Sequence, residues 1–99
     1  MPTTKGLNFN AAQDFLIGAA RRIGAVYGVE MSVGRRDDNL LMFVDGSGDA
    51  IAYPNEPSKP ILCCNLEEIS NGDWLKLFAA RAQFAALALR LSETPDSVE

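Results

Sequence analysis

The stretch LLMFVDGSGDAIAYP, residues 40–54, decides the fold. Its centre, DGSGD at residues 45–49, consists of residue types that form tight turns, and apolar segments of strand-forming composition flank it on both sides. We therefore predict a β-hairpin, with both glycines at positive φ and both aspartate carboxylates bonded to the turn backbone.

A calcium-binding loop is the alternative for the same stretch. An EF-hand loop that starts at Asp45 would have side-chain oxygens at its main ligand positions, namely Asp45, Ser47, Asp49 and Glu56. The position that requires glycine for the sharp turn is Ala50, however, and the flanking segments are strand-like and not helical. The sequence therefore favours a turn and predicts no metal site here.

Further segments of strand length surround the hairpin. VEMSV at residues 29–33 alternates apolar and polar residues, and ILCC at residues 61–64 is continuously apolar. GRRDDN at 34–39 and NEPSKP at 55–60 are rich in turn-forming residues, and the prolines of the second segment predict a stiff loop without regular strand pairing. These features predict a meander of about three or four antiparallel strands.

An amphipathic helix is predicted before the strands, in AAQDFLIGAARRIGAVYG at residues 11–28. Asn10 and Gln13 have the spacing of a capping box, and Gly28 suits the left-handed residue that ends a helix. We expect the core face to consist of one apolar arc: Ala12, Phe15, Leu16, Ala19, Ile23, Val26 and Tyr27.

A row of small residues lies on the same helix: Ala20, Gly24 and Gly28. Glycine inside a helix costs about 1 kcal/mol relative to alanine, so a compensating contact is expected. We interpret the row as the place where the helix lies close to the sheet. A second contact surface is the alternative.

A second helix is predicted after the strands, in DWLKLFAARAQFAALALRL at residues 73–91. It carries more apolar side chains than one core face requires. One stripe comprises Leu75, Phe78, Ala82 and Leu89. The other, which we predict to form a dimer or partner interface, comprises Trp74, Leu77, Arg81, Phe84, Ala88 and Leu91.

Arg81 lies at the centre of the predicted interface stripe. Burial of an unpaired guanidinium is costly, so we expect a carboxylate opposite it, from the same chain or from a symmetry mate. The alternative is that Arg81 extends to solvent from a narrower core face.

The predicted fold is α+β, a single small domain over residues 9–91 with the order α-β-β-β(-β)-α. Its two helices are expected to pack on one face of an antiparallel sheet. Residues 1–8 are predicted to be a flexible N-terminal tail, and residues 92–99 an acidic, disordered C-terminal tail.

Composition restricts the possible functions. The chain has 99 residues, a net charge of −4 and no histidine. The absence of histidine excludes His-based acid–base catalysis and nearly all zinc sites, and we expect no cofactor. The negative charge makes nucleic-acid binding unfavourable, and no apolar run is long enough to span a membrane.

Cys63 and Cys64 are adjacent and cannot form an ordinary disulfide with each other. Two reduced thiols predict a cytoplasmic protein. Neighbouring residues of a strand face opposite sides, so we expect one thiol in the core and the other accessible. Structural roles are favoured for both, because no histidine is present to activate a thiol.

Two families show a resemblance to parts of the chain. AARAQFAALALRL, residues 79–91, resembles the alanine-rich second helix of the double-stranded-RNA-binding domain, whose order of helix, strands and helix is also similar. That resemblance implies RNA binding, to which the pairs at 21–22 and 35–36, all arginine, could contribute. The family has lysines at the start of this helix, where the present chain has Asp73 and Lys76.

The other resemblance covers FLIGAARRIGAVYGVEMSV, residues 15–33, together with the hairpin stretch. It is similar in order and character to small acidic type III secretion chaperones, which implies a dimer that binds another protein. The chain lacks the further strands and the closing helix of that family.

We therefore predict a small, non-enzymatic, cytoplasmic protein–protein interaction module, such as an adaptor, chaperone or inhibitor, that acts as a homodimer. A phage or mobile-element inhibitor of a host complex, such as an anti-CRISPR protein, is an alternative. An RNA-binding domain is another. A small enzyme would have to use a thiol or the carboxylates of Asp45, Asp49, Glu67 and Glu68.

Overall fold

The computed structural model describes residues 9–37, 40–65 and 74–93. These residues form two helices and five strands: α1 (Phe9–Tyr27), β1 (Met31–Asp37), β2 (Leu40–Asp45), β3 (Ala52–Tyr53), β4 (Glu56–Pro60), β5 (Leu62–Asn65) and α2 (Trp74–Glu93). The predicted α+β class and the order of helix, strands and helix are confirmed. Residues 1–8 and 94–99, which contain most of both predicted tails, lie outside the described residues.

Within the described residues, β1, β2 and β5 form one antiparallel sheet in that order. β1 pairs with β2 through Val33 opposite Phe43, and β2 pairs with β5 through Leu41 opposite Cys64. β1 continues to Asp37, so the predicted turn at 34–39 is wrong for its first four residues. Antiparallel partners share a face, which places these apolar residues on the core side of the sheet.

The proline-containing segment is a short strand, and its prediction as a loop is wrong. β4 pairs with β3 through Ala52 opposite Pro60 and Tyr53 opposite Glu56, with an irregularity between the two pairs. Proline cannot donate a ladder hydrogen bond, but an edge strand has one side on which no donor is needed. The prolines therefore limit this pairing without preventing it.

The polar residues near the start of α1 bind the sheet and do not form the predicted capping box. The helix begins at Phe9, so Asn10 is already helical. Its Oδ1 accepts a hydrogen bond from Arg35 Nη2 at 3.2 Å, and Gln13 Nε2 donates to the Val33 carbonyl at 3.4 Å. Both side chains therefore fix α1 against β1.

The predicted glycine end of α1 is confirmed. Gly28 has a φ of 74°, in the left-handed region. Its N–H donates to the Ala25 carbonyl at 3.1 Å, and the N–H of Val29 donates to the Gly24 carbonyl at 3.0 Å. This pair of bonds is the Schellman motif, which reverses the chain into β1.

The core face of α1 is narrower than predicted. Leu16 and Ala20 have no exposed surface, and Ala12 is also buried. Phe15 is 51% exposed and Val26 is 79% exposed, so neither is a core residue. The predicted arc includes Phe15 and Val26, which are large and apolar, and omits Ala20. The observed core face contains Leu16 and Ala20 and is therefore rotated around the helix from the predicted arc.

Gly24 confirms the interpretation of the small-residue row as a close contact. A Cβ at this position would lie 2.8 Å from the Val29 carbonyl oxygen and 3.1 Å from the Met31 Cβ. A side chain there would force α1 away from the start of β1.

Both helices and the sheet contribute to one buried cluster. At its centre the rings of Phe43, on β2, and Phe78, on α2, lie 5.5 Å apart between centroids. Arg90 Nη1 donates to the Tyr27 carbonyl at 3.2 Å and joins the C-terminal ends of the two helices. Neither described helix is apolar over a length that would cross a bilayer.

Candidate protein-binding site

Helix α2 has two apolar faces, as the sequence predicts. One packs in the core and comprises Phe78, Ala82, Ala85, Ala86, Ala88 and Leu89. The other is exposed, and we call it the α2 stripe; it comprises Leu77, Ala80, Phe84, Leu87 and Leu91. Its spacing alternates three and four residues, which is the pattern of a helix that packs on another helix.

The α2 stripe differs from the predicted interface stripe at its edge. Leu77, Phe84 and Leu91 belong to both, but Ala88 is only 3% exposed and lies in the core. Ala80 and Leu87 take the remaining positions of the α2 stripe. The side chain of Trp74 lies outside what the structure describes.

Arg81 lies at one border of the α2 stripe and not at its centre. The sequence signal for the α2 stripe is the uninterrupted three–four spacing through Ala80 and Leu87, which does not include Arg81. Outside the α2 stripe, Leu75 is also exposed, although the sequence places it on the core face.

Arg81 is half-buried and makes a polar contact within its own chain. Its Nη1 donates to the Cys63 carbonyl of β5 at 2.6 Å. A backbone carbonyl thus accepts a hydrogen bond from one guanidinium nitrogen. The carboxylate predicted opposite Arg81 stays a prediction. The bond also fixes α2 against the end of β5.

Arg81 and two other cations line a pocket. Arg36 comes from β1, Lys59 from β4 and Arg81 from α2, and the pocket has a volume of about 390 Å³. The other residues that line it are Leu40, Tyr53, Pro60, Leu62, Cys64 and Asn65. The described residues that line this cationic pocket include no carboxylate.

The cationic pocket is continuous with the α2 stripe. Tyr53 lines the pocket, and its ring lies 5.4 Å from the ring of Phe84 between centroids. Arg81 borders both features. The surface therefore combines an apolar strip with an adjacent positive cavity, although the chain as a whole is acidic.

The hairpin turn is held by its first aspartate. Asp45 Oδ1 accepts hydrogen bonds from the N–H groups of Ser47 at 2.9 Å and Asp49 at 3.1 Å. Gly48 has a φ of 90°, as predicted, but Gly46 is not at positive φ. Glycine is required at position 46 for another reason, because a Cβ there would overlap the Glu30 carboxylate.

The metal alternative gains no support from these contacts, because one carboxylate oxygen of Asp45 already binds the turn backbone. Among the described residues, no group of three His, Cys, Asp or Glu side chains could hold a metal ion.

Neither Cys63 nor Cys64 forms a disulfide, and both are buried, so the prediction of one accessible thiol is wrong. Leu41 pairs with Cys64 and Met42 pairs with Leu62, which leaves Cys63 as an extra residue at a bulge. The bulge breaks the strict alternation of faces. Burial, and then the neighbouring Cys64, raise the pKa of the Cys63 thiol far above its ordinary value, while Arg81 opposes the shift.

The burial of Cys63 affects whether its thiol could act as a catalytic nucleophile. A protonated, buried thiol is a poor nucleophile. Glu67 and Glu68 lie outside the described residues.

The chain matches no protein-family model, no curated protein and no solved structure.

Proposed function

We propose that this protein is a non-enzymatic protein–protein interaction module that acts as a homodimer through the α2 stripe. The observation that carries the proposal is the exposure of this uninterrupted apolar strip on a helix whose opposite face already fills the core. Exposed apolar strips of this kind are typical of interfaces. Adaptor, chaperone and inhibitor roles all fit such a module.

An antiparallel pairing of two α2 helices is the arrangement that the side-chain sizes favour. With Phe84 at the two-fold axis, Leu77 of one copy faces Leu91 of the other. Ala80 then faces Leu87, so a small residue lies opposite a large one. A parallel pairing would place Ala80 opposite itself and leave a gap, which costs packing energy.

The border of the α2 stripe is compatible with this pairing. Arg81 of one copy would lie across from Ala88 of the other, and Gln83 would lie across from its own counterpart. Among the described side chains of α2, like charges meet only where Lys76 faces Arg90 at the two ends, and both are exposed. Solvent screens such exposed pairs, so the repulsion there is weak.

Capture of partners from the source cell, followed by reconstitution, tests the function. The unmodified chain, Leu87→Glu and Val26→Glu serve as baits; the last places the same charge on an exposed apolar residue of α1. We expect a partner that the unmodified chain and Val26→Glu retain and that Leu87→Glu loses. The purified partner should bind the purified chain with the same pattern.

Equal recovery of every purified partner by Leu87→Glu would contradict the proposal. Turnover of a substrate by the purified chain alone would contradict its non-enzymatic character.

A further inference from the structure

We propose that Leu77 of each chain in the dimer inserts into an apolar pocket of the other chain, between α2 and the β3–β4 pair. This inference rests on the proposed function, because it assumes the antiparallel pairing of two α2 helices. It goes further by bringing β3 and β4 into the interface and by naming the side chain that they receive.

The pocket, which we call the side pocket, has a volume of about 340 Å³ and lies beside the C-terminal half of α2. Two polar side chains line it, and both are bonded within their own chain. Asp45 Oδ1 accepts two backbone N–H groups of the turn, and Ser92 Oγ donates to the Leu89 carbonyl at 3.0 Å. The other lining residues are alanine, isoleucine, leucine, proline and tyrosine, which suits an apolar occupant. From the β3–β4 pair they include Ala52, Pro54 and Pro57.

The side pocket adjoins the α2 stripe. Tyr53 lines the pocket, and its ring lies 5.4 Å from the ring of Phe84 between centroids. Ala88 also lines the pocket and, like Arg81, lies at one border of the α2 stripe. A helix that packs on the α2 stripe therefore passes beside the pocket.

The antiparallel pairing selects the residue that reaches the side pocket. With Phe84 at the two-fold axis, residues 88–92 of one copy lie level with residues 76–80 of the other. Within that second range, Leu77 carries the large apolar side chain that is exposed, whereas Phe78 is buried in its own core. Leu77 is therefore the apolar side chain that the second copy offers at this level.

The phase of the helix places Leu77 on the side of the α2 stripe where the pocket lies. Leu77 and Ala88 are 11 residues apart, which is about three turns, so the two point in nearly the same direction. A two-fold axis across an antiparallel pair brings equivalent borders together. Leu77 of one copy therefore lies on the same side as Ala88 and the side pocket of the other.

Side-chain size gives a separate reason. Ala80 opposite Leu87 lets the two helices approach closely, but Leu77 and Leu91 are both large and about half-exposed. Face to face, they would hold the helices apart near both ends and leave poorly packed space. If Leu77 moves aside into the pocket next to Leu91, the helices can stay in contact along their length.

The dissociation constant of the dimer tests the role of Leu77, and sedimentation equilibrium of the full chain measures it. Leu75 provides a matched control, because it lies on the same helix outside the α2 stripe and is 47% exposed, as Leu77 is. We expect Leu77→Ala to raise the dissociation constant about tenfold or more, since the apolar contact is lost twice in a symmetric dimer. Leu75→Ala should change it less than about twofold.

Filling the side pocket tests the other half of the contact. Ala52 is half-buried and lines the pocket, so the larger side chain of Ala52→Leu should occupy the space that Leu77 needs. We expect it to weaken the dimer about as much as Leu77→Ala does. The double variant should be no weaker than the weaker of the two single variants, because both act on one contact.

Cross-linking locates the contact without filling the pocket. A chain with Leu77→Cys is mixed with a chain that carries Pro54→Cys, at an exposed position of the pocket rim, and a short bismaleimide is added. The native Cys63 and Cys64 are buried, so the introduced thiols should react first. We expect a cross-linked heterodimer from this mixture and none when Val26→Cys, on exposed α1, replaces the Pro54 variant.

A dimer that Leu77→Ala and Leu75→Ala weaken equally would overturn this inference and leave the proposed dimer standing. So would a cross-link between two Leu77→Cys chains, whose Leu77 positions lie roughly 21 Å apart along the axis of the antiparallel pair. A monomeric unmodified chain would overturn both proposals, so the two failures are distinguishable.

Discussion

Leu16 and Phe15 are neighbours in sequence but differ in how much each stabilises the fold. Leu16 has no exposed surface, whereas Phe15 is half-exposed although it is the larger side chain. We expect Leu16→Ala to lower the free energy of unfolding by about 2–5 kcal/mol, because it leaves a cavity in the core. Phe15→Ala should cost less than about 1 kcal/mol.

Urea unfolding at equilibrium, followed by circular dichroism, provides both values. If Leu16→Ala does not fold and Phe15→Ala folds normally, the conclusion is the same: Leu16 stabilises the core more than Phe15 does. A larger loss for Phe15→Ala than for Leu16→Ala would show that α1 turns a different face to the sheet.

Gly24 and Gly18 allow a second comparison within α1. A Cβ at Gly24 would lie 2.8 Å from the Val29 carbonyl, a backbone atom that cannot move alone, whereas a Cβ at Gly18 would meet only Arg22 Nη1 at 3.7 Å. We expect Gly18→Ala to stabilise the protein by up to about 1 kcal/mol through helix propensity. Gly24→Ala should destabilise it despite the same gain, because the helix must shift.

Thermal unfolding of the two variants beside the unmodified chain is the measurement. Stabilisation by Gly24→Ala would mean that α1 does not lie close to β1 at this point.

At the scale of the elements, the hairpin turn depends on the Asp45 carboxylate. Because its Oδ1 accepts two backbone N–H groups, Asp45→Ala should lower the free energy of unfolding by about 1–2 kcal/mol. Asp49→Ala, in the same loop and with the same change of charge, is the control and should cost less. Calcium should leave the melting temperature of the unmodified chain unchanged, because the described residues hold no group of three carboxylate, thiol or imidazole ligands that could bind it.

A rise in melting temperature that saturates at micromolar calcium, and that Asp45→Ala abolishes, would restore the metal hypothesis.

The strands show which parts of the fold follow from local pattern. LLMFV forms a strand and the glycine–aspartate segment forms a tight turn, because apolar runs and turn-forming residues act locally. The predicted hairpin is only partly formed: the chain after the turn meets β2 at an isolated bridge between Val44 and Ala50, and β3 then pairs with β4. The burial of Cys63 does not follow from alternation, since it depends on a bulge that is set by pairing with β2. The pairing of β4 is likewise tertiary, because its prolines oppose strand formation locally.

The candidate site follows from the sequence only in part, because its borders also depend on tertiary packing. Helical periodicity separates two apolar faces of α2, but it does not say which border residue turns inward. The burial of Ala88 depends on how α2 packs on the sheet, which helical periodicity alone does not determine. The cationic pocket has no sequence signal, because Arg36, Lys59 and Arg81 are far apart in the chain.

For the whole molecule, the proposed pairing of two chains through the α2 stripe should depend on ionic strength. Each chain has a net charge of −4, so salt screens the repulsion between the two copies. Salt also screens the repulsion between Lys76 and Arg90 where the two would face each other. The dimer should therefore become more stable as salt is added.

The last prediction concerns this dimer. Static light scattering at a chain concentration of roughly 50 μM should give twice the mass of one chain, and the dissociation constant should fall about twofold to fivefold as salt is raised. Phe84→Glu and Leu91→Glu should each produce a monomer, because each would bury an unpaired carboxylate in the apolar contact. Val26→Glu places the same charge on an exposed residue of α1 and should leave the dimer intact. A monomeric unmodified chain at high salt, or a dimer that survives both α2 substitutions, would show that the α2 stripe serves a different partner.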